Sequence, residues 1–217
     1  MRKATETYNL QIINPRLAQE WHPTKNDDLT PRDITPNSAK KVWWLCKKNK
    51  KHEWPATPND RSTRGNGCPY CSGKAVCDDN CLAKLNPKLA KEWHATKNGN
   101  LTPSNVTPNS NKKVWWICGN KHLWLSAIDK RNKGSGCPYC SGKAVCDDNS
   151  LATLNPQLAK EWHPTKNGVL TPRDVTAGSS KKVWWFCKKN HRHDPWKATV
   201  SVRRKGAGCP TCRRSSK

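Results

Sequence analysis

The chain has 217 residues and carries 40 Lys and Arg against 16 Asp and Glu, which gives a formal net charge of +24. A charge of this size favours a polyanionic partner, with a basic surface kept for solubility as the alternative. The sequence has neither an apolar run of membrane-spanning length nor an amphipathic basic helix, which argues against a membrane protein. One Phe, one Met and three Tyr limit the hydrophobic core, so the 12 Trp must supply much of it.

Three copies of one pattern follow one another along the chain, with a period of about 70 residues. Each copy reads Leu-Ala-x-Glu-Trp-His, then Lys-Lys-Val-Trp-Trp-x-Cys, then a His, then Cys-Pro-x-Cys. The pattern predicts a tandem array. Its predicted parts are an N-terminal extension at 1–9, repeats at 10–71, 82–140 and 151–212, linkers at 72–81 and 141–150, and a basic tail at 213–217.

Each repeat is predicted to begin with one short helix. An Asn that can act as N-cap precedes a Pro, which suits the first helical position. These pairs are Asn14-Pro15, Asn86-Pro87 and Asn155-Pro156. In the first repeat Leu17 and Trp21 lie four residues apart, on one face of such a helix. The helix should end at Pro23 and Pro164 in the outer repeats and at the Asn98-Gly99 turn in the middle one.

A β-hairpin should follow the helix. The β-branched and aromatic segments 42–45, 114–117 and 183–186 predict the first strands, and a second strand should begin near the next His. Adjacent residues on a strand face opposite sides, so one Trp of each Trp-Trp pair should face the core. The outer Trp is then a candidate contact, either packed on the surface or stacked on a base.

Each repeat also offers three Cys and one His with the spacing of zinc ligands. A Cys-x-x-Cys turn puts two thiolates on one side of an ion, and a distant segment supplies the other two ligands of a tetrahedral site. The predicted ligands of three zinc ions are Cys46, His52, Cys68 and Cys71; Cys118, His122, Cys137 and Cys140; and Cys187, His193, Cys209 and Cys212. A disulfide framework is the alternative, but the recurring His and the absence of a secretory signal favour zinc in a reducing, cytoplasmic compartment.

These elements together predict small zinc-stabilised α+β units. The fold class is three tandem zinc-ribbon or treble-clef-like repeats, each with one short helix plus a β-hairpin and two zinc knuckles. A unit of about 60 residues is marginal without such a metal.

The His of the third ligand set is ambiguous. His191 reproduces the four-residue step from Cys118 to His122, whereas His193 reproduces the six-residue step from Cys46 to His52. We favour His193, because Cys187-Lys-Lys-Asn then aligns without a gap on the first repeat.

Two further sets of residues recur without an assigned site. Cys77, Cys81 and Cys146 lie in or just after the linkers and are interpreted as free thiols, since Ser150 replaces the partner that would correspond to Cys81. The histidines beside the first Trp of each repeat, namely His22, His94 and His163, are candidate general bases. No Asp/Glu cluster for a hydrolytic metal accompanies them, so we expect a structural role and no enzymatic activity.

Basic residues recur in every repeat, before the Trp-Trp strand and before the Gly-x-Gly that precedes Cys-Pro-x-Cys. The candidate phosphate contacts are Lys40, Lys41, Arg64, Lys112, Lys113, Arg131, Lys133, Lys181, Lys182, Arg203, Arg204 and Lys205.

The combined pattern resembles a known family. The run Leu-Asn-Pro-x-Leu-Ala-x-Glu-Trp-His-Pro-Thr-Lys-Asn, the segment Lys-Lys-Val-Trp-Trp-x-Cys and the ending Gly-x-Gly-Cys-Pro-Tyr-Cys-Ser-Gly are similar to a family of zinc-ribbon, treble-clef-like repeats. The resemblance covers nearly the whole chain and implies zinc. It also implies tandem arrays in bacteria and phages, sometimes fused to very-short-patch-repair-type endonuclease domains. The third copy departs from the pattern, because Arg-Arg follows Cys212 instead of Ser-Gly.

Two functions remain after these exclusions. The first is a nucleic-acid-binding array, with DNA as the expected partner, that uses Lys and Arg on phosphates. The second is a zinc-scaffolded adaptor that displays Trp to an acidic protein. Charge in every copy favours the first. The expected setting is the cytoplasm of a bacterium or of a phage-infected host.

Overall fold

A computed structural model of the chain describes residues 3–214. The first two residues of the predicted extension and the last three of the predicted basic tail lie outside this range. The chain divides into two compact units, one that extends to Val114 and includes Ala127–Asn132, and one that comprises Trp115–Ser126 and continues from Lys133. The repeat and linker boundaries drawn from the sequence stay predictions.

The elements are short throughout. In chain order they are α1 (Leu10–Ile13), α2 (Pro15–Ala18), β1 (Val42–Leu45), β2 (Glu53–Ala56), α3 (Pro58–Ser62), α4 (Leu82–Leu85), α5 (Pro87–Ala90), β3 (Lys113–Ile117), β4 (Leu123–Ala127), α6 (Ile128–Asn132), α7 (Leu151–Leu154), α8 (Pro156–Ala159), β5 (Lys182–Trp185), β6 (Trp196–Thr199), α9 (Val200–Arg204) and α10 (Pro210–Arg214). Within residues 3–214, no helix has the length and apolar character needed to cross a bilayer.

Each repeat begins with two helical turns where the sequence predicted one. In the first repeat, Asn14 ends α1 and also caps α2, because its side chain accepts a hydrogen bond from the backbone N–H of Leu17 at 3.2 Å. Pro15 has no N–H to continue the first turn, so the chain begins a new helix there.

The predicted continuation of this helix as far as Trp21 is wrong, since α2 ends at Ala18. Trp21 instead forms an isolated β-bridge with Trp44, and the N–H of the next residue, His22, donates to the carbonyl of Trp43 at 3.0 Å. The backbone of Trp21 and His22 is therefore hydrogen-bonded to the edge of β1 and does not continue the helix.

Three two-stranded sheets follow, one in each repeat. β1 pairs antiparallel with β2, with Trp44 opposite Trp54, and β5 pairs antiparallel with β6, with Trp185 opposite Trp196. β3 and β4 form the third sheet. The fold class predicted from the sequence is confirmed: three repeats of small helices and two-stranded sheets, each with a Cys/His cluster.

The second Trp of each Trp-Trp pair forms the centre of the core. Trp44, Trp116 and Trp185 are fully buried, whereas the Trp before each is half-buried. The indole N–H of Trp44 donates to the carbonyl of Ala56 at 3.0 Å, and its ring meets that of Trp21 edge-on with centroids 5.6 Å apart. Burial of the ring thus leaves no polar atom unpaired.

A third helix after the hairpin was not predicted. Thr57 caps α3 and Pro58 is its first residue, a local signal that the sequence does contain. The helix carries Arg61, whose guanidinium lies 5.1 Å from the Trp44 ring centroid and 5.0 Å from that of Trp54. Arg61 also forms a buried ion pair with Glu20, which ties the third helix to the end of the second.

The alternation of the Trp pair predicts that two neighbouring substitutions have different effects. Trp116→Ala removes a fully buried ring and its hydrogen bond to the Ser126 carbonyl, so we expect a loss of about 3–5 kcal/mol in the free energy of unfolding. Trp115→Ala removes a half-buried ring and should cost much less. Thermal and urea unfolding of both variants will measure the difference, and equal destabilisation would contradict this account of the core.

Candidate metal centres

The first half of each centre lies at the tip of the hairpin. Cys46 follows the end of β1 and His52 precedes β2, and the N–H of Cys46 donates to the His52 carbonyl at 3.0 Å. In the middle repeat the N–H of Cys118 donates to the His122 carbonyl at 3.2 Å. The narrow tip therefore holds one thiol and one imidazole side by side.

The second half comes from the turn that follows the third helix. Gly65 has a φ of +65°, a left-handed conformation that favours Gly, and it ends the helical segment. The chain then enters the Cys68-Pro-Tyr-Cys71 turn, where the N–H of Cys71 points to the Cys68 sulfur at 3.5 Å. The turn presents both sulfurs to the hairpin tip.

The distances between donor atoms fit a tetrahedral zinc ion. Zn–S bonds of about 2.3 Å and Zn–N bonds of about 2.05 Å place two sulfurs about 3.8 Å apart and a sulfur about 3.6 Å from a nitrogen. In the first repeat the sulfurs of Cys46 and Cys71 are 3.6 Å apart, and His52 Nδ1 lies 3.5 Å from Cys68 Sγ and 3.4 Å from Cys71 Sγ.

The other two repeats show the same geometry. His122 Nδ1 lies 3.3–3.5 Å from its three sulfurs, and the sulfurs of Cys118 and Cys140 are 3.7 Å apart. The three clusters are Cys46, His52, Cys68 and Cys71; Cys118, His122, Cys137 and Cys140; and Cys187, His193, Cys209 and Cys212. Three Cys3His clusters fit three zinc ions, as the sequence predicted.

The electrostatics of a cluster also call for a cation. Burial raises the pKa of Cys46, but the backbone N–H groups of Asn49 and Lys48 stabilise its thiolate and the net pKa falls to about 7. Burial and hydrogen bonds to neighbouring sulfurs raise the pKa of Cys71 to about 12. Ionisation of one thiol in the cluster therefore opposes ionisation of the next. A divalent ion at the centre removes this conflict, because a coordinating thiol loses its proton.

The structure distinguishes the two candidate histidines of the third repeat. His193 Nδ1 lies 3.5 Å from Cys209 Sγ and 3.3 Å from Cys212 Sγ. His191 instead stacks on Phe186, with ring centroids 5.6 Å apart. All twelve cysteines lie within the described residues, and none forms a disulfide.

The recurring histidines beside the first Trp bind backbone groups. His22 Nδ1 accepts hydrogen bonds from the N–H groups of Thr24 and Lys25, both at 3.2 Å. His94 and His163 accept the corresponding bonds in their own repeats. Each imidazole therefore closes the turn that follows the Trp.

The predicted phosphate contacts divide into two groups. Ten are exposed: Lys40, Lys41, Arg64, Lys112, Lys113, Lys133, Lys181, Lys182, Arg204 and Lys205. Arg131 and Arg203 are only 7% and 6% exposed, and they form ion pairs with Glu92 and Glu161. Their assignment is corrected accordingly, because a buried, paired guanidinium is not presented to a phosphate.

Two thiols that the sequence predicted to have no site lie beside the metal centres. The sulfurs of Cys77 and Cys146 are 3.5 and 3.6 Å from Nε2 of His52 and His122, the nitrogen that faces away from the cluster. The recurrence of Cys-Asp-Asp-Asn after the first two Cys-Pro-Tyr-Cys turns was the signal for this arrangement. Cys81, in contrast, is buried at the start of α4, where α7 has Ser150.

Comparison with known proteins agrees with this geometry. A family described as "Probable Treble clef zinc finger domain" matches residues 17–74, 89–143 and 158–215. A protein of Escherichia phage T5 named "Putative endonuclease" is 27% identical over 107 residues, which cover 49% of this chain and 34% of that protein. The chain thus spans about a third of the length of that relative.

Metal analysis is the direct test of the centres. We expect three zinc ions per chain, and a strong chelator should abolish the far-ultraviolet circular dichroism and the tryptophan fluorescence of the folded state. A zinc-free protein that remains folded, or disulfides within the Cys-Pro-x-Cys turns, would contradict the assignment.

The third ligand set has its own test. His193→Ala should lower the zinc content from three ions to two, because His193 Nδ1 is in contact with the sulfurs. His191→Ala is the matched control and should retain all three. The opposite result would show that the third repeat uses the four-residue spacing.

Proposed function

The chain belongs to the family of probable treble-clef zinc-finger domains, and on this premise we propose that it is a zinc-dependent array that binds nucleic acid, with DNA as its partner. Binding uses mainly Lys and Arg on phosphates. The phage T5 relative is named "Putative endonuclease", and this name supports a nucleic-acid partner for the segment that the two proteins share.

The observation that carries the proposal is where the positive charge lies. The net charge is +24, and the ten exposed candidate contacts include members in each repeat. Polyanion binding gains free energy from each phosphate that is neutralised and from the counterions that are released. A tandem array with basic residues in every unit can make such contacts along a polymer.

The basic residues of the third repeat lie beside the start and the end of α9. In the third repeat the carbonyl of Lys181 accepts a hydrogen bond from the N–H of Val200, the first residue of α9, at 3.2 Å. Arg204 ends that helix and Lys205 follows it. A helix of five residues is about 7 Å long. Lys181 therefore lies at the start of this short helix, and Arg204 and Lys205 lie at its end.

The surroundings of the outer Trp, the first of each Trp-Trp pair, favour phosphate contacts over base stacking. The ammonium group of Lys25 lies 4.8 Å from the ring centroid of Trp43, and those of Lys166 and Lys197 lie 4.8 and 5.0 Å from that of Trp184. A base would have to compete with these lysines for the ring. Cation–π contact holds the ammonium groups in place at the surface.

We propose binding without catalysis. The Nδ1 atoms of His22, His94 and His163 are occupied by backbone N–H groups, which leaves them poor general bases. The acidic residues that recur next to them are held in ion pairs with buried arginines. Cleavage of DNA by the zinc-loaded chain that His94→Ala abolishes would contradict this part.

A protein-interaction adaptor is the second candidate, and one observation favours it. The last residue of the first helix is a large apolar side chain in every repeat, and Ile13, Leu85 and Leu154 are 50%, 59% and 54% exposed. Recurring exposed apolar residues are common in protein interfaces. Failure to bind any nucleic acid, with capture of an acidic protein that Leu85→Ser and Leu154→Ser weaken, would favour the adaptor.

Salt dependence tests the proposed contacts. Log affinity for duplex DNA should fall linearly with log salt, and replacing Lys112 and Lys113 by Ala should flatten that slope by about 1–2 units. The loss should be similar for different sequences, since phosphates carry no base information. Titrations with duplex DNA, single-stranded DNA and RNA will also rank the three partners.

A matched variant distinguishes a specific phosphate contact of Lys112 and Lys113 from a general effect of net charge. Lys88 and Lys91 are also exposed in the middle repeat, but they lie in or just after α5, away from the Trp-Trp strand in the sequence. Their double replacement by Ala removes the same charge. If it flattens the slope as much as the Lys112 and Lys113 replacement, these two lysines have no special role. Zinc content and circular dichroism should be unchanged in both variants.

A further inference from the structure

The linker after the first repeat folds back onto the Cys-Pro-Tyr-Cys turn. The side-chain amide of Asn80 donates to the carbonyls of Tyr70 and Ala75, both at 2.8 Å, and its oxygen accepts from the N–H of Cys77 at 2.8 Å. The linker after the second repeat repeats these bonds through Asn149, at 2.8–2.9 Å. A linker held by three bonds of one side chain has a defined path.

That path brings a carboxylate to the ligand histidine. Both oxygens of Asp79 lie 3.0 Å from His52 Nε2, and the Cys77 thiol donates to the same carboxylate at 2.8 Å. In the middle repeat, Asp148 lies 2.8 Å from His122 Nε2. Each histidine is therefore held on both sides, with Nδ1 toward the three sulfurs and Nε2 toward the linker.

His52, Cys77 and Asp79 lie close enough together to hold an ion, but the contacts of the carboxylate fit a hydrogen bond better than joint coordination of a second zinc ion. Around a zinc ion, a carboxylate oxygen would lie about 3.3 Å from an imidazole nitrogen and about 3.5 Å from a sulfur. The observed separations are 3.0 Å from Asp79 Oδ1 to His52 Nε2 and 2.8 Å from the same oxygen to Cys77 Sγ. The contact of Asp79 Oδ1 with His52 Nε2 has the length of an N–H···O hydrogen bond, and its contact with Cys77 Sγ is shorter than two ligands of one zinc ion would allow.

We propose that Asp79 and Asp148 are positioning residues of the first two zinc centres, and that through them each linker is held in place by the metal centre of the repeat before it. The carboxylate accepts a hydrogen bond from Nε2–H, which fixes the tautomer and leaves the Nδ1 lone pair for zinc. Loss of zinc frees the imidazole, and the linker loses its link to the hairpin tip. The repeat array then keeps its linker geometry only while the centres are loaded.

The third repeat provides an internal comparison. Among residues 3–214, no group of the His-Cys-Asp type accompanies His193, and the side-chain amide of Asn190 lies 3.3 Å from its Nε2. Removal of a hydrogen-bond partner of a ligand histidine commonly lowers metal affinity by about 10–100-fold. The third centre should therefore release zinc faster than the other two.

Pulse alkylation read by mass spectrometry tests the proposal at each cysteine of the full chain. Under chelator challenge, Asp79→Asn should speed the labelling of Cys46, Cys68 and Cys71 by about tenfold or more, and it should expose Cys77 at the same time. Asp148→Asn should do the same in the middle repeat. Asp78→Asn and Asp147→Asn are the controls, because they change the adjacent carboxylate of each linker.

The unmodified chain gives a second measurement that needs no variant. Labelling of Cys77 should slow as zinc is added and should follow the protection of Cys46, whereas Cys81, buried at the start of α4, reports general unfolding. Equal release rates for Asp79→Asn and Asp78→Asn would overturn the positioning role. Cys77 labelling that is independent of zinc would overturn the coupling of linker and centre.

Discussion

A zinc ion in each repeat joins two chain segments that have little apolar surface to hold them together. The hairpin tip contributes Cys46 and His52, and the turn after the third helix contributes Cys68 and Cys71. The buried apolar cluster of the first repeat is small and centred on Trp44. In a unit of about 60 residues, the free energy of metal binding becomes free energy of folding. The hairpin register and the left-handed Gly65 together bring four donors to one point.

A buried ion pair adds the second constraint. The guanidinium of Arg61 lies over the rings of Trp44 and Trp54 and reaches Glu20, so Arg61 connects the start of the repeat to the helix before the zinc turn. Leaving such an arginine without its carboxylate costs about 3–5 kcal/mol, because the charge stays buried and uncompensated. The same pairing of Arg and Glu in the other repeats explains why a single acidic residue recurs beside Trp-His in a basic chain.

The strands and the zinc ligands could be predicted from local residue patterns and from the spacing of Cys and His. Contacts between residues far apart in the sequence could not. The strand of Val42, Trp43 and Trp44 followed from β-branched and aromatic residues, and the donor sets followed from Cys-Pro-x-Cys. The helix was drawn too long because no local signal shows that β1 takes the backbone groups at Trp21. Arg131 and Arg203 were counted as surface charge because their carboxylate partners lie about 40 residues away.

The centres and the basic surface have separate physical roles. Three thiolates, one neutral imidazole and one Zn²⁺ carry a charge of about −1, so three loaded centres lower a formal charge of +24 by only three. Zinc therefore leaves the positive field nearly intact, and its contribution to the proposed binding is to keep the lysines on a folded frame. Loss of zinc leaves the net charge almost the same but disperses it along a flexible chain. Affinity that depends on zinc would thus reflect the ordering of charge and not its amount.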